Sequence, residues 1–557
     1  MTLDIDWEAE PVPNLSQWDT YDAAREGFEW RIPETYNAGA DVVSRHADDR
    51  GRVALFHETE SGEEHTYTFW QLERRSNELA NAMLDRGIER GDRVAVVAPQ
   101  RVETPLVHVA AYKIGAIAVP LSVLYGPDAL AFRLDDSETT AVFADPDVFD
   151  QVHDAVERVD SVERVVGMGA DPEAPDGVVA ERFADLAGSS RLDPVETAPD
   201  DPAVLIYTSG TTGRPKGVLQ GHQYLLGHLP CLQMALTFPW HEDVDPVLYT
   251  PADWAWVGGL YDVLLPAWHY GVPAVGYKSS GFDAETTYRL IEEYGVTYPL
   301  LTPTMLKMMA QVDADRYDLD RVVAVATGGE PVPKELHRFV DDTFGVRLHE
   351  LYGQTEANLV VSNCAHWFDP EPGSMGKPVP GHDVEIIDDE GVPRPDGEAG
   401  KIAVRRPDPV MFQEYWNEPD KTRESFVGDW MDTDDRGERD ADGRFWFKSR
   451  ADDVIITSGY RVGPAEVEDA LLEHEAVANA AVIGVEDETR GKIVKGFVEP
   501  ASGVDPDTDL ARDIQDRVRT DLAKYQYPRE LAFVDELPKT TTGKVQRYKL
   551  REREGEV

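Results

Sequence analysis

The sequence predicts an α/β protein, with mainly parallel sheets covered by helices in a large N-terminal part, a small β-rich subdomain at about residues 370–448 and a last α+β unit. Three observations predict it. Helix and strand patterns alternate through the first two thirds of the chain. From about Pro370 they give way to short β-like runs separated by Gly, Pro and Asp, and about 100 further residues alternate short helices and strands. A chain of 557 residues is too long for one core, so two or more domains are expected.

In chain order, Thr68 is placed to cap a helix whose apolar residues are Leu72, Leu79, Met83 and Leu84, and Gly91 to Ala98 reads as a turn and a buried strand. Thr302-Pro303 starts a helix, Arg321 to Thr327 forms a strand, Pro333 starts a helix that Gly345 ends, and Val346 to Leu351 is the next strand. Val384 to Ile387 and Gly400 to Val404 are short strands of the β-rich part, and Pro464 opens a helix in the last unit. No internal repeat or low-complexity segment interrupts this order.

The 105 acidic and 54 basic residues give a formal net charge of −51, spread along the chain. Such a surface suits high salt, where counter-ions screen self-repulsion, and a salt-rich cytoplasm is the expected setting. Nucleic acid and anionic membranes are not expected partners, since both require a basic patch. Cys231 and Cys364 are the sole cysteines, which rules out a disulfide framework or a thiolate zinc cluster within one chain. No apolar run reaches 18 residues and the first residues are acidic, so neither stable membrane insertion nor a signal segment is expected.

The chemistry concentrates at Tyr207-Thr-Ser-Gly-Thr-Thr-Gly-Arg-Pro-Lys-Gly217, where the apolar run Ala203 to Tyr207 empties into a loop. Glycines let backbone N–H groups close on an anion, hydroxyls add donors, and Lys216 adds a mobile charge, so a polyphosphate is the expected ligand. The loop is not a P-loop, because Gly217 rather than Ser or Thr follows Lys216.

This loop resembles the phosphate-binding signature of the AMP-forming acyl-CoA synthetases, whose superfamily includes luciferases and peptide-synthetase adenylation domains; the resemblance runs from about residue 50 to 550. It implies an N-terminal domain of two helix-covered, mainly parallel sheets with a β-barrel-like subdomain (1–449), a hinge at 450–453 with Asp452 as pivot, and a small mobile C-terminal domain (454–557). It implies that Thr208, Ser209, Gly210, Thr211, Thr212, Gly213 and Lys216 hold ATP phosphates, that Gly329, Glu330 and Pro331 border the adenine, and that Tyr352 stacks on it within Tyr352-Gly-Gln-Thr-Glu356. Gly353 and Gln354 belong to the same nucleotide site, Thr355 contacts a phosphate, and Glu356 helps hold Mg²⁺. Asp435 clamps the ribose, although the family's Thr-Gly-Asp reads Thr433-Asp434-Asp435 here; Arg450 and Arg461 complete the nucleotide contacts. Lys544, in Lys539-Thr-Thr-Thr-Gly-Lys544, matches the catalytic lysine of adenylation, with Thr208 and Glu356 assisting. Coenzyme A is assigned to Ser458, Gly459, Tyr460 and Arg519.

The implied reaction joins a carboxylic acid to coenzyme A with ATP consumed to AMP and diphosphate, through an acyl-adenylate. Trp256, Val257, Gly258, Gly328 and Gly353 would line the acyl pocket; the three glycines stand where acetate-activating members carry larger side chains, so an apolar pocket of medium size is expected, with medium-chain synthetases as the most similar group. Trp254 to Tyr261 would supply aromatic walls. Two other functions are compatible with the motifs: an adenylating enzyme that passes its acyl group to another acceptor, disfavoured in its in-line form because no carrier domain follows Lys544, and a nucleotide-binding regulator without activity. A cytoplasmic protein that binds ATP, coenzyme A and a small carboxylic acid is expected, and a homo-oligomer is compatible with the resemblance. Lowering salt from about 1 M to about 0.1 M lengthens the Debye screening distance from about 3 Å to about 10 Å, so activity and melting temperature are expected to fall together; an unchanged melt in dilute buffer would remove the salt-adapted reading.

Overall fold

The computed structural model describes residues 5–208, 215–241, 243–279, 281–330, 332–450, 453, 455–457, 460–487, 491–521, 527–539 and 545–555. Its largest sheet has eight strands, in the order Glu414–Tyr415, Lys216–Gly221, Pro202–Thr208, Ile117–Leu121, Arg93–Val97, Ala141–Ala144, Arg164–Gly167 and Val179–Arg182. From Pro202–Thr208 outward the neighbours are parallel, whereas Lys216–Gly221 folds back antiparallel on that strand. Ala203, Val204, Leu205, Ile206 and Tyr207 are all buried, as a strand covered on both faces requires.

A second sheet runs Tyr298–Pro299, Leu248–Tyr249, Ala274–Lys278, Val53–Thr59 and Glu64–Thr68, parallel except for its last strand. A third has Val325–Gly328 and Leu348–Gln354 parallel, then Ala357–Ser362 and Lys377–Pro378 antiparallel, and a parallel bridge from Leu300 to Ala326 joins it to the second. Two mainly parallel sheets are thus joined by a third, mixed one. The strand expected at Arg321 to Thr327 begins only at Val325, where Leu348 comes opposite; before it, Val323 makes a single backbone bond to Thr297.

Helix boundaries follow local chemistry. Thr68 caps Phe69–Asp85 through a full capping box with Gln71, Thr302 caps Pro303–Met309, and Lys334–Phe344 ends at Gly345, whose φ of 66° is left-handed. Leu72, Leu79 and Met83 are buried, but Leu84 is 43% exposed because the residue after Met83 lies about 100° round the helix from it.

The β-rich part is an open antiparallel sheet, Val384–Ile387, Gly400–Arg405, Trp430–Arg439 and Phe426–Val427, with Phe445–Arg450 also on Trp430–Arg439. The barrel-like expectation is corrected: among the described residues no ladder joins Val384–Ile387 to Phe445–Arg450, and without that seam the sheet keeps its edges. The last unit is a sheet of Tyr460–Val462, Ile455–Thr457, Gly491–Pro500, Val477–Asp487 and Glu530–Phe533, flanked by the helices Pro464–Leu472, Thr508–Asp521 and Arg547–Glu554. Cys231 and Cys364 are buried and free, and among the described residues no helix is long and apolar enough to cross a membrane.

The N-terminal segment is held to the large domain by a buried charge cluster. His269 Nδ1 lies 2.6 Å from Asp41 Oδ2 and Nε2 lies 3.0 Å from Glu10 Oε2, while Arg45 reaches both carboxylates. With an acceptor at each ring nitrogen, the imidazolium is the fitting state; against the cost of burial, the two carboxylates push His269 up to about 9. Because the folded value is raised, the stabilisation is present in full below the unfolded value near 6.5 and is lost as pH rises toward 9. The loss is expected to reach about 3 kcal/mol. Denaturant titrations of the wild type and His269→Gln at pH 6 and pH 9 should converge at the alkaline end; a constant gap would exclude this linkage.

Candidate active site

The strand Pro202–Thr208 delivers Thr208 opposite Lys216 on the antiparallel strand Lys216–Gly221, and this pair marks the hairpin mouth. Ser209, Gly210, Thr211, Thr212 and Gly213 lie outside the described residues. Lys216 Nζ sits 4.6 Å from the centre of the Tyr415 ring, and the Tyr415 hydroxyl donates to Glu356 Oε1 at 2.7 Å. Burial and the Glu356 charge push the Tyr415 phenol well up, so it stays a donor. Glu356 is only 9% exposed, its backbone oxygen accepts from Phe412 N, and its Oε2 has no partner among the described residues. Tyr415 is a site residue that sequence reasoning missed: its strand, Glu414–Tyr415, is two residues long and has no readable periodicity.

On the other side of Leu348–Gln354, the Tyr352 hydroxyl donates to Asp435 Oδ2 at 2.7 Å, and Arg450 Nη1 donates to Asp435 Oδ1 at 2.9 Å. Asp435 and Arg450 are register partners across adjacent strands. Gln354 Nε2 donates to Thr433 O, and Thr355 O accepts from Gln220 Nε2 and Tyr224 Oη. Asp434 has φ 58°, the left-handed conformation that a glycine would take freely, and its N–H bonds Asp432 Oδ1 at 3.0 Å. Asp434 thus stands at a bulge within the strand Trp430–Arg439, where its left-handed φ is accommodated. Gly329 has φ 84° and open space around it, Glu330 accepts from Thr304 Oγ1, and Pro331 lies outside the described residues.

The acyl-pocket expectation is corrected in three places. A β-carbon on Gly353 would stand 2.2 Å from Leu359 N and 2.7 Å from Asn358 Cα, and one on Gly328 would stand 2.7 Å from Leu351 O. Close passage of backbone, not space for an acyl chain, accounts for these two glycines in this geometry. Trp254 and Tyr261 are core residues at 1% exposure each, so of the expected aromatic walls Trp256 remains, edge-on to Tyr125 at 6.1 Å. Val257–Gly259 forms a short helical turn that continues as a π-helical turn, Leu260–Leu264. Outside its own chain neighbours and helix backbone, a β-carbon on Gly258 would meet within 4 Å only Asp262 Oδ2, at 3.8 Å, among the described residues, which leaves open space beside it.

In the C-terminal unit Asp452, Ser458, Gly459 and Lys544 lie outside the described residues. Tyr460 and Arg461 stand on a strand opposite Thr457 and Ile456. On either side of Lys544, a bridge joins Lys539 to Val545 and Gln546 N donates to Pro538 O. Arg519 lies on the helix Thr508–Asp521 with its guanidinium 5.8 Å from the Tyr527 ring centre. Next to the expected pivot, Asp453 pairs with Arg547 and Arg551, and Arg547 also pairs with Glu468, which ties Asp453 and the helix Pro464–Leu472 to the last helix. Burial lowers the Lys307 ammonium, against the pull of Glu330 and of Asp469 on the helix Pro464–Leu472.

Comparison with known proteins decides the family. The AMP-binding enzyme family matches residues 43–416, and the C-terminal domain of AMP-binding enzymes matches residues 466–544. The chain belongs to the AMP-binding enzyme family. This AMP-binding enzyme is 35% identical over 525 residues to the acetyl-coenzyme A synthetase of Bacillus subtilis (strain 168), covering 92% of this chain and 90% of that protein. It is 34% identical over 539 residues to a mitochondrial acyl-coenzyme A synthetase of Homo sapiens, covering 94% and 91%. Among solved structures, an anthranilate CoA ligase in complex with anthranoyl-AMP superposes with a TM-score of 0.85 at 29% identity, over 94% of this chain and 98% of the other. The class expected from the sequence, an acid–thiol ligase, is that of these relatives.

The left-handed conformation of Asp434 gives a direct test. A β-branched side chain is strained there, so Asp434→Val is expected to lower stability by about 1–2 kcal/mol, whereas Asp434→Gly should stay within about 1 kcal/mol of the wild type. Urea midpoints measured in the same salt would show it, and equal midpoints for Val and Asp would exclude the geometry.

Proposed function

We propose that this protein is an ATP-dependent acyl-CoA synthetase that makes an acyl-CoA, AMP and diphosphate through an acyl-adenylate. The observation that carries this reading is the meeting of the hairpin mouth, through Lys216 and Tyr415, with the buried carboxylate of Glu356. A polyphosphate loop and an oxygen ligand for a hard cation thereby share one locality. Glu356 fits Mg²⁺ because its second oxygen is left without a partner among the described residues, and one or two carboxylates are the usual protein share for a cation that also binds phosphates. Mg²⁺ held there would supply positive charge against the phosphoryl oxygens.

In the first step the carboxylate oxygen attacks the α-phosphorus, the bond to the bridging oxygen of diphosphate breaks, and the protein stabilises charge on the phosphoryl oxygens. Lys544, Thr208 and the loop hydroxyls carry that task, while Tyr352, Asp435 and Arg450 hold the nucleoside. In the second step the thiol sulfur attacks the acyl carbon and AMP leaves. A swing of the C-terminal domain about Asp452 exchanges Lys544 for the Ser458 to Arg461 loop, with Gly459 beside the pantetheine arm. The acyl group is larger than acetyl, the domain boundaries are 1–449 and 454–557, and the acidic surface fits a salt-rich cytoplasm.

The half-reactions separate the parts. Lys544→Ala should lower acyl-adenylate formation by about two to three powers of ten, the usual loss when one transition-state charge is removed, yet still convert preformed acyl-adenylate to thioester. Gly459→Leu should do the reverse. Diphosphate release and thioester yield measure the two steps; folded variants that lose both in equal proportion would overturn the alternating use of the two loops.

A further inference from the structure

The carboxyl group of Asp262 is the polar feature that the reaction above does not use. Asp262 is 7% exposed and lies one turn beyond Gly258, with Oδ2 3.8 Å from where a β-carbon on that glycine would be. Its Oδ1 accepts from Asn358 Nδ2 at 2.7 Å. The same amide nitrogen lies 3.1 Å from His228 Nε2, and His228 Nδ1 lies 2.6 Å from Tyr224 O. A carbonyl oxygen can only accept, so the proton of His228 is on Nδ1 and its Nε2 is the acceptor for Asn358. His228 is therefore neutral, and burial holds it down at about 3. It is no counter-ion for Asp262, although its Nε2 is 3.5 Å from Oδ1. Asn358 acts as a fork that fixes both groups, and Oδ2 is left without a partner among the described residues.

Burial holds the Asp262 carboxyl well above the usual carboxylate range and so favours its neutral form. A neutral carboxyl can donate one hydrogen bond and accept another, which matches a hydroxyl; an apolar chain end would leave Oδ2 desolvated and unpaired, a costly arrangement. Alone, the buried Asp–Asn–His set could be a structural brace. The open space beside Gly258, bounded by Oδ2, is what turns the set toward a ligand.

We propose that Asp262 is a specificity residue for the acyl substrate, receiving a hydroxyl group borne by the acid, so that the enzyme prefers hydroxylated carboxylic acids to their unsubstituted counterparts. The proposal rests on the acyl-CoA synthetase reading above, with Gly258 at the acyl pocket.

The test compares matched pairs, benzoate with 3- and 4-hydroxybenzoate and the straight-chain acids of about four to eight carbons with their ω-hydroxy forms, by coenzyme A-dependent AMP release and, separately, by calorimetric binding without ATP. At least one hydroxylated acid should exceed its partner in kcat/KM by about ten- to a hundredfold, the range expected when a polar pocket group is left unpaired. Asp262→Leu should cancel or invert that ratio, and isosteric Asp262→Asn should retain part of it. Gly258→Val, which fills the space in front of Oδ2 from the other side, should also cancel it and serves if the Leu variant does not fold. A brace without a ligand role would change both members of a pair alike. Turnover of acids with no hydroxyl preference overturns this proposal and keeps the synthetase reading. Hydroxyl-selective binding that Asp262→Leu abolishes, with no thioester from any acid, keeps this proposal and overturns that reading. Binding of neither member of any pair overturns it as well.

Discussion

The hydrogen bond from Tyr415 to Glu356 is the contact on which the site depends. Tyr415 belongs to the edge of the eight-stranded sheet and Glu356 to the turn between two strands of the four-stranded sheet, so this one bond fixes two layers against each other. Around it, Lys216 lies over the tyrosine ring and Thr355 is held through its backbone by Gln220 and Tyr224. The strands Pro202–Thr208 and Leu348–Gln354 thus bring their carboxyl ends to one place, where an open α/β architecture leaves its crevice. The catalytic environment is a consequence of sheet edges meeting, not of any single loop.

Much of this was legible in the chain. The caps at Thr68 and Thr302, the glycine stop at Gly345 and the apolar run before Thr208 each follow from chemistry confined to a few adjacent residues. What escaped the sequence was long-range contact. Tyr415 meets Glu356 across 59 positions and Asn358 meets Asp262 across 96, and a lone acid in the run Leu260 to Leu265 has no spacing to announce it. Gly353 was misread for a related reason: an absent side chain signals closeness of some other group, and the sequence does not tell backbone from ligand.

Charge is used in two distinct ways. The excess of acid is distributed over the surface, where solvent and ions screen it, while a few buried carboxylates are individually matched. Asp41 and Glu10 meet His269 and Arg45, and Asp453 and Glu468 meet Arg547. The first set fastens the N-terminal segment; the second fastens the last helix beside the strand that follows the expected pivot. Both sit where chain segments distant in sequence must stay docked, since breaking a buried pair costs far more than breaking an exposed one.

The crossing of backbone at Gly353 also shapes how such an enzyme can diversify. With Leu359 and Asn358 pressed against that glycine, no side chain can be added there without moving the main chain. The turn from Trp256 to Asp262 is under no such restriction at Gly258. Divergence in substrate range is then funnelled into a few codons of one helical turn, and libraries drawn from those positions would sample new acids with the phosphate chemistry left intact.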